Sequence, residues 1–119
     1  MKRRISSQDG LEAIRAYAHG GEVSRPTLIT AVRFALEEFA ERHPGHAVEI
    51  RVPWIGAVQA IEGINHRRGT PPNVVEMDGQ TWLDLVVGRE VDTRTISHSG
   101  TRADLTPYLP LFGPAQLGL

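Results

Sequence analysis

The stretch Val48-Glu49-Ile50-Arg51-Val52-Pro53-Trp54-Ile55-Gly56-Ala57-Val58-Gln59-Ala60-Ile61-Glu62 decides how the chain is read. Val48, Ile50 and Val52 alternate with Glu49 and Arg51, the period of two that gives a strand one dry face and one wet one. Pro53 to Gly56 carry turn residues. Val58, Ala60 and Ile61 then follow without clean alternation, as expected of a strand partly covered on both faces.

Outward from this stretch toward the N-terminus, the period changes from two to 3.6. Leu28, Val32, Ala35, Leu36 and Phe39 recur at helical spacing, while Arg33, Glu37, Glu38, Glu41 and Arg42 fill the remaining positions. Ser24, followed by Arg25 and Pro26, marks the start of that helix, and Pro44-Gly45 marks its end. An earlier helix, capped by Ser7, carries Leu11, Ile14, Tyr17 and Ala18 and stops at Gly20-Gly21. Toward the C-terminus, the polar loop Gly63 to Asn73 leads into a strand at Val74 to Met77. Asp78 caps a third helix bearing Trp82, Leu83, Leu85, Val86 and Val87, which Gly88 ends. Thr95 to Ser99 reads as a fourth strand, and Asp104 to Leu109 as a broken turn around Pro107.

The expected class is α+β, a small, mostly antiparallel sheet of four to five strands with helices packed on one face. Strands are expected at about 47 to 53, 56 to 63, 73 to 77 and 95 to 99. One domain over 1–112 and a flexible C-terminal tail over 113–119 complete the layout.

Composition narrows the function. The 119 residues are 40% hydrophobic and 23% charged, an ordinary domain able to bury roughly two thirds of its unfolded surface without a disulfide or metal. The absence of Cys removes thiol catalysis and Cys-based zinc sites and points to a reducing, cytoplasmic setting. Thirteen basic against 14 acidic side chains leave no basic excess for a nucleic-acid backbone. No apolar run approaches the roughly 18 residues that cross a bilayer, so no stable membrane insertion is expected. Oligomeric state is not legible.

Residue types suggestive of catalysis lack the spacing that catalysis needs. His43 and His46 flank a Pro-Gly turn, His66 and His98 lie elsewhere, and this is a weak metal pattern. Glu37, Glu38 and Glu41 belong to a wet helix face. Ser97, His98 and Asp104 supply the types of a triad, yet neighbouring strand positions put Ser97 and His98 on opposite faces, and no Gly-x-Ser-x-Gly elbow occurs. No catalytic residue, metal or cofactor is therefore expected. The segment His66-Arg67-Arg68-Gly69-Thr70-Pro71-Pro72-Asn73 can present Arg67, Arg68 and Asn73 to an anion or a partner, or can be a plain polar crossover. Trp54, in a turn, is a candidate for the mouth of a cavity or an interface.

Several segments carry a family resemblance in running text. Glu49-Ile50-Arg51-Val52-Pro53, Gly56-Ala57-Val58-Gln59-Ala60-Ile61-Glu62-Gly63, Arg68-Gly69-Thr70-Pro71-Pro72-Asn73-Val74-Val75-Glu76, Thr81-Trp82-Leu83 and Ser99-Gly100-Thr101-Arg102-Ala103-Asp104-Leu105 resemble the actinobacterial branch of sterol-carrier-like proteins, bacterial orthologues of the sterol carrier domain. Thr27 to Glu38 is similar to the family's helix. The resemblance implies helices over one face of a sheet, enclosing an apolar cavity for a fatty-acyl chain or sterol-like lipid, bound without enzymatic turnover. Val32, Leu36, Phe39, Trp54, Val58, Trp82 and Leu85 are its candidate wall, and each also reads as filled core. The connection Arg89 to Thr95 is shorter than the family's, which has a further short helix there. The alternative reading is a protein or anion interaction module built on the Arg67-Arg68 loop, with no lipid cavity.

Overall fold

Short polar side chains start the three longer helices. Ser6 Oγ accepts from Asp9 N at 3.1 Å and opens α1, Ser7–Ala18, so the cap lies one residue before the expected Ser7. Ser24 Oγ accepts from Thr27 N at 3.3 Å, with Pro26 in the first turn, and opens α2, Arg25–Arg42. Asp78 Oδ1 accepts from Thr81 N at 2.8 Å and opens α3, Gly79–Val86. Beyond α1 and α3 the chain turns at Gly20 and Gly88, both at φ 86°, a region glycine enters without a Cβ penalty.

The computed structural model describes residues 4–63, 73–100 and 104–119. Among these, β1 (Val48–Val52), β2 (Gly56–Ala60), β3 (Asn73–Glu76) and β4 (Ser97–Ser99) form one sheet in the order β2-β1-β3-β4. The two outer pairings are antiparallel, in keeping with a mostly antiparallel sheet, but the central β1–β3 pair is parallel. β2 turns back along one side of β1, so β3 reaches the other side after the long connection and runs in β1's direction. The pairings Val48–Asn73 and Ile50–Val75 put these residues on one face with Ala60 and Val58. On that face Val48, Ile50, Val52, Ala60 and Val75 are buried, while Glu49, Arg51, Gln59 and Glu76 share the opposite, polar face.

Helix α2 packs on β2 and against α1 and α3. Between the layers Phe39 meets Trp82 edge-on at 5.9 Å between ring centres, and Trp82 Nε1 donates to Val32 O at 3.3 Å. Phe34 stacks on Phe112 at 6.1 Å, and its ring lies directly against Gly10 of α1.

Three boundaries differ from the sequence reading. β2 stops at Ala60 because Ile61 adopts φ 68°, from which its N–H reaches His43 O at 2.6 Å and its carbonyl accepts from Ala47 N at 2.9 Å. A 3-10 turn at Thr93–Thr95, capped by Asp92, takes the expected first residue of β4 and gives the short Arg89 to Thr95 connection a single helical turn of its own. Residues 113–119, read as a tail, instead form α4, Pro114–Leu117, docked on α1. Leu117 is buried, Arg15 Nε donates to Gln116 O at 2.7 Å, and His19 Nε2 lies 2.8 Å from Leu117 O. Burial of one leucine and capture of two late carbonyls explain the order.

Candidate functional site

Among the described residues, two openings gather side chains of more than one element beside the core. The first is a partly enclosed cleft of about 160 Å³ at the β3–β4 end of the sheet. Val75 and Met77, Leu85 of α3, Ile96, and Leu105 and Leu109 of the C-terminal segment line it. Its lining is mostly apolar, and the polar groups Thr93, His98, Asp104 and Thr106 stand among it. His98 reaches the cleft because it pairs with Val75, which puts both on the core-side face, while Ser97 and Ser99 pair with Glu76 and Val74 and belong to the other face. Asp104 Oδ1 accepts from Thr106 N at 3.0 Å. Hydrogen bonds from the Thr106 hydroxyl and N–H, with a smaller contribution from His98, hold the Asp104 carboxyl below its ordinary value, so it is ionised at neutral pH.

The second opening is a groove of about 700 Å³ between α2 and β2. Its apolar side chains are Ile5, Leu36, Ile55 and Val58, and its polar ones Arg4, Arg33 and Glu37. Arg33 Nε donates to Ile55 O at 3.2 Å, while the buried Glu37 accepts from Arg4 N at 3.1 Å and Ile5 N at 3.3 Å, tying the N-terminal segment to the groove. This groove is larger than the cleft, and its lining is more polar than apolar.

The residues singled out from the sequence go to different places. Val32, Phe39 and Trp82 are packed in the core. Leu36, also buried, reaches the groove together with Val58, and Leu85 lines the cleft. Trp54 is 97% exposed at the tip of the β1–β2 turn. Arg67 and Arg68 lie outside the described residues. Asn73 is buried at the start of β3, and its Nδ2 donates to Ala47 O at 3.0 Å. Among the described residues no three His, Asp or Glu side chains converge as metal ligands would. The sequence reading missed Val75, Met77, Ile96, Leu105 and Leu109, which line the cleft together. Each has an apolar signal of its own, but only the β3–β4 pairing and the returning C-terminal segment bring them into one place.

A family model described as bacterial SCP ortholog matches residues 24–111, from the cap of α2 to the buried Leu111. The chain belongs to this sterol-carrier-like family. Every residue lining the cleft falls within the span shared with the bacterial SCP orthologs, whereas α1 and α4 lie outside it. A search of curated proteins gives no match to the chain.

Proposed function

We propose that this bacterial SCP ortholog binds the end of an apolar molecule, a fatty-acyl chain first among them, in the cleft between α3 and β4, without chemical turnover and without a cofactor. The observation that carries this reading is the cleft itself, a mostly apolar lining with a few polar groups among it, beside the packed core. A dry apolar cavity of ~150 Å³ is known to hold benzene, so a space of about 160 Å³ suits roughly six carbons rather than a four-ring sterol.

Energetics supports a chain that continues beyond the cleft. At roughly 0.8 kcal/mol per buried methylene, six carbons yield about 5 kcal/mol, near the lower end of the cost of association. Further methylenes lying along the surface would supply the surplus. The separation of His98 from Ser97 and Ser99 onto opposite strand faces supports binding rather than hydrolysis.

The test is titration with a fluorescent fatty-acyl probe. Wild-type protein is expected to bind it saturably, and Ile96→Phe, which fills the cleft, to weaken binding about tenfold or more with little change in melting temperature. A well-folded wild-type protein that shows no saturable binding refutes the proposal.

A further inference from the structure

Trp54 is held where neither packing nor turn chemistry wants it. It is 97% exposed and sits at φ 70°, a conformation that favours glycine and is unusual for a bulky residue. The turn is closed by Ile55 N donating to Val52 O at 3.0 Å, a bond that needs no indole. A large aromatic kept both strained and wet is better explained by what it meets than by the fold.

Its surroundings identify the partner's chemistry. Ile55, next in the chain, leads into the α2–β2 groove, where Ile5 adds a second apolar side chain and Arg4 and Arg33 add cations. The guanidinium of Arg33 is fixed beside the tip by its bond to Ile55 O. Glu37 is buried and occupied by two backbone N–H groups, Arg51 is paired with Glu49, and Glu76 borders the tip on its other side. The edge therefore combines an aromatic tip, aliphatic flanks and the exposed side chains of Arg4 and Arg33.

We infer that the Trp54 turn and the Arg4–Arg33 edge beside it form a docking surface for an anionic lipid–water interface. Tryptophan prefers that boundary, and flanking arginines attract its anionic head groups. Against a second copy of the chain stand the small protruding tip and the charged sheet beside it. One tryptophan offers roughly 150–250 Å², well under the ~800 Å² per partner of a standard protein interface, and the adjoining sheet face is charged. A lipid surface needs no matching shape. The contact is a reversible one at the surface, and among the described residues no helix is long and apolar enough to cross a membrane. The inference does not depend on the α3–β4 cleft.

The chain's two tryptophans make it testable with intrinsic fluorescence, because Trp82 is fully buried and any change in solvent contact reports Trp54. The probe is phosphatidylcholine vesicles with and without phosphatidylglycerol. On the anionic vesicles Trp54 emission is expected to shift to the blue and lose acrylamide quenching, with the effect weakened by salt. Trp54→Gly is expected to cut vesicle partition about tenfold or more while keeping or raising the melting temperature, because glycine accepts the turn geometry. Unchanged emission on anionic vesicles, equal partition onto vesicles lacking phosphatidylglycerol, or full partition of Trp54→Gly would overturn the assignment. So would a wild-type dimer, seen by sedimentation, that Trp54→Gly dissolves in the absence of any vesicle binding.

Discussion

Gly10→Ala tests how closely α1 and α2 approach. Intrinsic propensity alone says that the change stabilises, since alanine is favoured over glycine inside a helix by roughly 0.8–1.0 kcal/mol. The packing says the opposite. A methyl group on Gly10 would stand 2.6 Å from Cδ2 of Phe34 and closer still to Cγ and Cδ1, far inside van der Waals contact. The ring cannot swing aside freely, because it is 2% exposed and stacked on Phe112. Overpacking costs about 1–3 kcal/mol, and contacts this short belong at the upper end, so with the propensity gain subtracted a net loss of about 2 kcal/mol is expected. For a chain of this length that lowers the melting temperature by roughly 5–10 °C. Thermal melts followed by circular dichroism provide the assay, and a double-mutant cycle with Phe34→Leu isolates the contact. The two changes should couple favourably by about 1 kcal/mol or more, since the smaller side chain makes room for the methyl group. A Gly10→Ala protein that melts at or above the wild-type temperature, or a cycle with no coupling, refutes the close approach.

Two further perturbations follow from the same packing. Tyr17 donates its hydroxyl to Asp84 Oδ1 at 2.7 Å, and Arg89 lies 5.1 Å from its ring centre. Burial, then Asp84, raises the phenol above its ordinary value, so it stays a neutral donor. Tyr17→Phe keeps the ring contact and loses the bond, and chemical denaturation should show a loss of about 1 kcal/mol. His43 lies against Phe39 and Tyr108, at 5.1 and 4.8 Å between ring centres, and burial followed by Arg42 lowers its pKa. The unfolded chain then takes up the proton first, so this contribution to stability is present above about pH 6.5 and is lost as the pH falls through the lowered folded value. Denaturation midpoints measured against pH should decline less steeply on the acid side in His43→Gln than in wild type.

Much of the fold was legible because its signals are local. Ser24 and Asp78 announce their helices by side-chain chemistry confined to one turn, and the alternation of Val48, Ile50 and Val52 fixes both a strand and its buried face. What escaped depends on distant residues. Nothing near Ile61 signals a positive φ, which is sustained by bonds to His43 and Ala47. Nothing in 113–119 shows that Arg15 and His19 wait for its carbonyls. The candidate site was less legible than the fold. Helical spacing marks Val32, Phe39 and Trp82 as inward-facing but cannot separate a wall from a filled core, and aromatic packing fills the space between them. The cleft draws its lining from β3, α3, the approach to β4 and the C-terminal segment, a gathering that no single window of sequence contains.

The parallel pairing at the centre of the sheet also sets an order of assembly. β1 and β2 are joined by a tight turn and can zip together within microseconds, whereas joining Val48 to Asn73 requires closure of the whole intervening chain before any bond is gained. β4, three residues long, can add only after β3 is in place. The half of the sheet bearing the cleft is thus expected to form last and to open first. Amide exchange should be faster in β3 and β4 than in β1, and a molecule held in the cleft would slow it there by tying late-formed strands to the C-terminal segment. Binding in the cleft, as proposed, would therefore be linked to local folding at that end of the molecule.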